Sequence, residues 1–141
     1  MGAARTFLRL GWAERALVTE AVLFLGAASL AIRLLPFRRI ASMAGRGDKA
    51  RHVAAPDEVR MLQWAIHAAT RRAPWRAVCF QQGLAAHWML RRRGRSSRLH
   101  YGARTDAQAQ LAAHVWVRSG ETDVVGCDNA ADYALLATFG D

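Results

Sequence analysis

The chain has 141 residues, 52% of them apolar, and its 20 Lys and Arg against 11 Asp and Glu give a formal net charge of +9. This length and apolar content predict one compact domain with a real core. Two cysteines are too few for a disulfide framework and indicate free thiols in the cytoplasm. The histidines are scattered and no phosphate-binding glycine loop is present, so we expect neither a metal site nor a bound cofactor.

The N-terminal third contains an uncharged apolar run from Ala21 to Ile32. A membrane-spanning helix needs about twenty such residues, so this run is short for that role. We predict a helix that packs on the core of a soluble protein. Two alternatives stay open: an interfacial helix touching a membrane beside Arg33, Arg38 and Arg39, and a secretory signal.

Residues 43–56, rich in Gly and charge, are typical of a loop or linker. Asp57 is then a candidate cap for a helix that ends near Thr70. The apolar side chains of that helix recur on one face: Val59, Leu62, Ile66 and Ala69. We therefore divide the chain into an N-terminal helical region with linker, 1–55, and a core, 56–141.

The central helix is predicted over residues 73–94, which read A-P-W-R-A-V-C-F-Q-Q-G-L-A-A-H-W-M-L-R-R-R-G. Pro74 suits a helix start, and Gly94 after three arginines suits a left-handed C-terminal cap. Cys79 falls in the first turn, where unpaired N–H groups and the positive end of the helix dipole stabilise a thiolate. The alternative interpretation of Cys79 is a small buried side chain.

Short strands follow this helix. Residues 98–103 and the alternating run 113–118, A-H-V-W-V-R, predict two strands, and the second forms a hairpin with residues 122–126. His114 lies near the start of the hairpin. A cysteine that opens a helix and a histidine on a strand are the two parts that a thiol nucleophile needs. Helices followed by an antiparallel sheet predict an α+β fold, with the central helix packed on the sheet.

An acidic side chain would hold the imidazole of His114 in the useful tautomer. A two-residue turn at Ser119 and Gly120 pairs Trp116 with Asp123 and places Asp123 on the face of His114. A four-residue turn keeps Asp123 on that face but moves it farther from His114, and a three-residue loop places Asp128 there instead. We favour Asp123 and keep Asp128 as the alternative.

Other side chains near the cysteine are candidates for binding the reacting peptide. Gln81 or Gln82 could assist the backbone N–H of Cys79 in binding an oxyanion. Trp75 and Trp116 could wall the cleft and exclude water. Solvation of the glutamines and core packing of the tryptophans are the alternatives.

Three phrases together resemble a known family: the 74–94 run above, L-H-Y-G-A, and A-A-H-V-W-V-R-S-G-E-T-D-V-V-G. They look like the leader peptidase of lasso-peptide biosynthesis, the C-terminal domain type of its B protein. The upstream phrase L-P-F-R-R-I-A resembles the helical region before the core in that family. The resemblance covers about residues 14–139 and implies a transglutaminase-like, papain-related core.

The resemblance implies a cysteine endopeptidase that cleaves the leader from a lasso-peptide precursor, with Cys79 as nucleophile and His114 as base. It also implies a macrolactam cyclase as partner, through which ATP dependence would enter. The chain offers no room for a leader-binding domain before its helical region, so we expect a separate leader-binding protein. The competing hypotheses are a transglutaminase or acyltransferase on the same scaffold, and a non-catalytic basic adaptor.

The basic surface suits nucleic acid, anionic lipid or an acidic peptide. No helix-turn-helix, zinc-finger or stacking-sheet signature accompanies the charge, so we expect no nucleic-acid partner. A peptide substrate, an acidic partner protein or peripheral membrane contact are the functional expectations that follow.

Overall fold

The computed structural model describes residue 5 and residues 8–45, 52–73 and 78–140. The described helices are α1 (Trp12–Leu34), α2 (Phe37–Gly45), α3 (Pro56–Arg72) and α4 (Cys79–Arg92). The described strands are β1 (Arg98–Thr105), β2 (Leu111–Ser119), β3 (Thr122–Val125) and β4 (Ala134–Gly140), with a 3-10 turn at Ala130–Asp132.

The four strands form one antiparallel sheet in the order β3-β2-β1-β4. Helix α4 packs directly on β2 at Gly83, where an added Cβ would lie 2.5 Å from Cγ1 of Val115 and 3.3 Å from Cδ1 of Leu99. The absent side chain therefore sets the close approach of helix to sheet. The α+β prediction, with the central helix on a small antiparallel sheet, is confirmed.

The hydrophobic core runs continuously from the N-terminal helices to the sheet. Val18 and Leu25 of α1 belong to the same buried cluster as Leu62 of α3, Leu84 of α4 and Val115 of β2. Burial of such side chains is the main favourable term in folding. The predicted packing of the apolar N-terminal run on the core is what the structure has, and the boundary at residue 55 stays a prediction.

The predicted loop over residues 43–56 is wrong at both ends, and residues 46–51 lie outside the described part of the chain. Helix α2 continues through Gly45, and α3 begins at Pro56 rather than after a cap at Asp57. Proline suits a first helical position because its missing N–H has no intrahelical partner there, so Ala55 becomes the cap. Asp57 lies inside the first turn, where its negative charge interacts favourably with the positive end of the helix dipole.

The central helix is described from Cys79 to Arg92, and residues 74–77, including Pro74, lie outside the described residues. Gly94 has φ of +68°, as expected of the glycine after a helix. His87 of this helix is fully buried, with Nδ1 2.6 Å from the Ser97 hydroxyl and Nε2 2.7 Å from the carbonyl oxygen of Ala44. These bonds tie α4 to α2 and give His87 a structural role.

An ion pair ties α1 to the end of α4. The two carboxylate oxygens of Glu20 each lie 2.6 Å from a guanidinium nitrogen of Arg93, and Arg92 lies 3.2 Å away. The hydrogen bonds from Arg93 hold the pKa of Glu20 below its ordinary value, although burial opposes this. Since Glu20 is 12% exposed, this contact is better shielded from solvent than a surface pair.

We expect Glu20→Gln to lower the free energy of unfolding at pH 7 by about 1–2 kcal/mol, because it removes the charge that Arg93 binds. The pKa of Glu58 is also lowered, chiefly by its hydrogen bond from Arg95. A carboxyl whose pKa is lower in the folded state than in the unfolded state stabilises the folded protein. This stabilisation is complete at a pH above the unfolded-state pKa, and it is lost as the pH falls through the folded-state pKa. Stability should therefore fall below about pH 4.5, with a smaller fall in Glu20→Gln.

Urea unfolding between pH 3 and 7 measures both effects. Glu121→Gln, at an exposed position in the β2–β3 turn, is the matched control and should follow the wild-type curve. Equal losses in the two variants at pH 7 would contradict the role given to the Glu20–Arg93 pair.

Candidate functional site

Cys79 is the first residue of α4, and its side chain is half-buried. Gln81 closes the first turn, since its Oε1 accepts a hydrogen bond from the backbone N–H of Val78 at 3.2 Å. The N–H of Gln82 completes the turn by donating to the carbonyl oxygen of Val78 at 3.1 Å. The first N–H groups of a helix have no intrahelical acceptor, so this end of α4 offers donors beside the Cys79 thiol.

His114 lies on β2 opposite Gly102 of β1. Its Nε2 is 2.7 Å from the carbonyl oxygen of Gly126. Because a carbonyl can only accept, Nε2 carries the proton, and Nδ1 of the neutral ring is the unprotonated nitrogen. The ring is therefore held in the tautomer whose Nδ1 can act as a base.

Aromatic rings fix the plane of His114. Tyr133 stacks on it with 4.9 Å between ring centroids, and Trp116 lies 6.0 Å away on the same face of the sheet. His100, the cross-strand partner of Trp116 on β1, stacks on Trp116 with 5.5 Å between ring centroids. Trp116 is 6% exposed, so both His114 and His100 stack on a ring that is itself buried in the fold. The guanidinium of Arg104 covers the Tyr133 ring at 4.9 Å.

The pairing predicted for the hairpin is wrong by a shift of register. The turn is Gly120–Glu121, Ser119 pairs with Thr122, and Asp123 lies opposite Arg118 rather than Trp116. Ser119 stays in the strand because it is buried and its Oγ accepts a hydrogen bond from the N–H of Ala54 at 2.9 Å. Gly120 supplies the turn with φ of +58°.

Asp123 keeps the face of His114 but lies about 13 Å along the strand from it, as Arg118 is four residues away. Its Oδ1 instead binds Nε of Arg118 at 2.8 Å. Asp128 lies exposed in the segment after β3. Among the described residues, the hydrogen bond of His114 goes to the Gly126 backbone and to neither carboxylate.

Cys79 and His114 come from elements that pack against each other, but the described contacts do not join their side chains. Val115 faces Gly83 of α4, so alternation along β2 turns His114 toward the other face of the sheet. Trp75, a predicted wall of the cleft, lies outside the described residues.

Cys127 is the second thiol. Its Sγ donates toward the carbonyl oxygens of Val117 and Val125 at 3.3 and 3.4 Å. Burial raises the pKa of this thiol, and the charge of Asp123 raises it further. Cys127 is therefore held as a neutral thiol with a structural role.

Two parts of the site escape the sequence reasoning: the backbone carbonyl of Gly126 and the Tyr133 ring. A glycine directly after a β-branched run was the available signal for the first, because it marks the end of a strand. Within the described residues, no three His, Cys, Asp or Glu side chains converge so that they could hold a metal ion.

Gly126 should act as a positioning residue for His114. It has φ of +72°, and an added Cβ would lie 2.5 Å from the carbonyl oxygen of Val115 and 3.4 Å from Nε2 of His114. Gly126→Ala should push this segment off β2 and break the bond to Nε2. We expect about a tenfold or larger fall in thiol reactivity, as for other groups that orient a functional histidine.

Nitrogen NMR of the imidazole rings measures the tautomer of His114, which a purely structural defect elsewhere would not change. Gly45→Ala is the control, because a Cβ at Gly45 meets nothing within 4 Å. An unchanged His114 tautomer in Gly126→Ala would contradict this role.

A cysteine at the start of a helix on an antiparallel sheet and a histidine on the second strand are the elements that Cys/His thiol enzymes use. The comparison with protein families agrees. The model described as the transglutaminase-like superfamily matches residues 22–138, a range that includes Cys79 and His114, and the chain belongs to this superfamily. Comparison with curated proteins and with solved structures found no match.

Proposed function

We propose that the protein is a cysteine endopeptidase that removes the leader from a lasso-peptide precursor. The observation that carries the proposal is the family match, which spans a cysteine at the first residue of α4 and a histidine on β2. The phrases around Cys79 and His114 that resemble the lasso leader peptidases support the narrower assignment. The fixed tautomer of His114 supports its role as the base.

In the proposed reaction, Nδ1 of His114 takes the proton of the Cys79 thiol, and the thiolate attacks the carbonyl carbon of the scissile peptide. The oxyanion is stabilised by the backbone N–H of Cys79, with Gln81 or Gln82 assisting. The imidazolium then gives its proton to the leaving amine, and a thioester forms. Water attacks the thioester with Nδ1 taking its proton, which releases the leader carboxylate and restores the thiol.

This chemistry requires the Cys79 sulfur to come within hydrogen-bond reach of Nδ1. Because Val115 faces α4 and His114 faces the other side of the sheet, this approach needs a rearrangement of the Cys79 or His114 segment and not only the tightening of a long hydrogen bond. We propose that the precursor, brought by a partner, draws the two groups together. The Gly126 carbonyl then does the orienting that an Asp does in other triads, with Asp123 and Asp128 as the alternatives.

The proposed partners are the precursor peptide, a separate leader-binding protein and a macrolactam cyclase in the cytoplasm. Cleavage would free the N-terminus of the core peptide for the cyclase, and ATP would be consumed there. The basic surface of the protein suits an acidic segment of the substrate or partner.

Product masses test the proposal. The full chain is incubated with a precursor peptide and its leader-binding protein, with and without an added primary amine. A leader peptidase gives two fragments whose masses sum to the precursor plus one water, whether or not the amine is present. A leader fragment carrying the amine would instead indicate a transferase on the same scaffold, and an unchanged precursor would favour the adaptor hypothesis.

A further inference from the structure

Helix α1 has two apolar faces. One is buried in the core through Val18, Ala21, Leu25 and Ala28. The other, which we call the outer stripe, is exposed and consists of Trp12, Ala16, Thr19, Leu23, Ala27, Leu30 and Leu34. By length and composition alone, α1 is the described helix that could cross a membrane.

The outer stripe recurs every three or four residues, so it forms a single line along a helix of 23 residues, or about 34 Å. Its large members are well exposed: Trp12 at 85%, Leu23 at 68%, Leu30 at 59% and Leu34 at 74%. The hydroxyl of Thr19 donates to the carbonyl oxygen of Arg15 at 2.8 Å, so its donor is satisfied within the helix. The stripe can therefore enter an apolar medium at little polar cost.

Beside the N-terminal half of the stripe lies an open, mostly apolar groove of about 800 Å³. Trp12, Leu23 and Phe24 line it, together with the charged side chains of Arg15, Glu20 and Arg92. An apolar strip combined with basic side chains on the same helix and its neighbours is typical of a helix that lies in a membrane interface.

The positive charge around α1 indicates what kind of surface the outer stripe meets. Four exposed arginines lie close in sequence to the two ends of α1: Arg9, Arg33, and Arg38 and Arg39 of α2. The nearby acid Glu20 is neutralised by Arg93, and the whole chain carries +9. These charges attract a surface that is both apolar and anionic, which an anionic lipid bilayer is.

We propose that α1 lies in the plane of an anionic bilayer surface, with the outer stripe immersed and the flanking arginines at the headgroups. The buried face of α1 and the Glu20–Arg93 pair keep the helix attached to the core, so it docks peripherally instead of spanning the bilayer. This inference is independent of the proposed catalytic function.

Vesicle flotation with the full chain tests it. We expect the protein to float with vesicles of equal parts phosphatidylcholine and phosphatidylglycerol, to float poorly with pure phosphatidylcholine, and to be released by alkaline carbonate. Leu23→Gln with Leu30→Gln should lower binding by about tenfold or more. Leu135→Gln with Leu136→Gln is the matched control, because these leucines are 56% and 62% exposed on β4, and it should bind as wild type.

Arg38→Gln with Arg39→Gln is a second variant and should weaken binding by about tenfold, since each charge near an anionic surface contributes. Thermal melting confirms that each variant folds. The proposal is overturned if the wild type does not float on anionic vesicles, if the stripe variant floats as well as the control, or if carbonate fails to release the protein. Dimerisation that depends on the stripe, without vesicle binding, would overturn it in favour of a second copy.

Discussion

Cys79→Ala should abolish processing of the precursor, with a fall in kcat of at least about 10³-fold, because the proposed thioester forms on the Cys79 sulfur. Cys127→Ala should keep most of its activity. The two residues are the only cysteines of the chain, and each is half-buried, which makes them a matched pair. Their surroundings differ. Cys79 is the first residue of a helix, whereas the Cys127 thiol donates to two strand carbonyl oxygens and has a pKa raised by burial.

The rate of leader release, followed by mass spectrometry, measures this difference. Thermal melting of both variants checks that the loss is chemical. Substantial activity in Cys79→Ala would show that the thiol is a packing residue, and equal loss in both variants would point to a common folding defect.

His114→Ala should lower the same rate by about 10²- to 10⁴-fold, the usual contribution of a positioned general base. The loss should be greatest below pH 7, where fewer thiols ionise without a base to take the proton. His100 is the matched control, since both imidazoles stack on Trp116 from neighbouring positions. Burial lowers the pKa of His100, with Arg118 and Arg98 adding to the effect, so it should stay neutral and inactive.

His100→Ala should therefore keep most of the activity, apart from any loss of stability caused by the gap beside Trp116. The pH dependence of kcat/KM, measured for His114→Ala and His100→Ala, distinguishes a histidine that acts as general base from one that only packs against Trp116. A His100→Ala enzyme with the larger defect would reverse the assignment.

The sequence was sufficient for the placement of Cys79 and His114 on their elements. A helix with a first-turn cysteine and a strand with strict alternation are local patterns, and local patterns survive in the fold. The burial of Val59, Leu62 and Ile66 follows from the same logic.

The orientation of His114 was not predictable, because it depends on contacts between distant parts of the chain. Ala54 fixes Ser119 in its strand across 65 residues, and this sets the turn and the position of Asp123. Arg118 then binds the Asp123 carboxylate, which the sequence pattern alone places beside His114. Reading along one strand cannot show which of two partners a side chain binds.

The outer stripe of α1 shows a second limit. The run from Ala21 to Ile32 has no charged residue that would mark an outer face, yet the helix buries one face and exposes Leu23 and Leu30. Only the packing of α1 on α3 and α4 decides which face is left over. Composition alone could not separate a core helix from one that also meets a membrane.

The most direct test of the catalytic assignment is the rate at which iodoacetamide alkylates each cysteine as a function of pH, resolved by peptide mapping of the native protein. The two thiols report in the same molecule, so one serves as the reference for the other. The assignment predicts that Cys79 reacts rapidly below about pH 7 in a manner that requires His114, while Cys127 reacts slowly throughout. Equal rates for the two thiols, or a Cys79 rate that His114→Ala leaves unchanged, would contradict it.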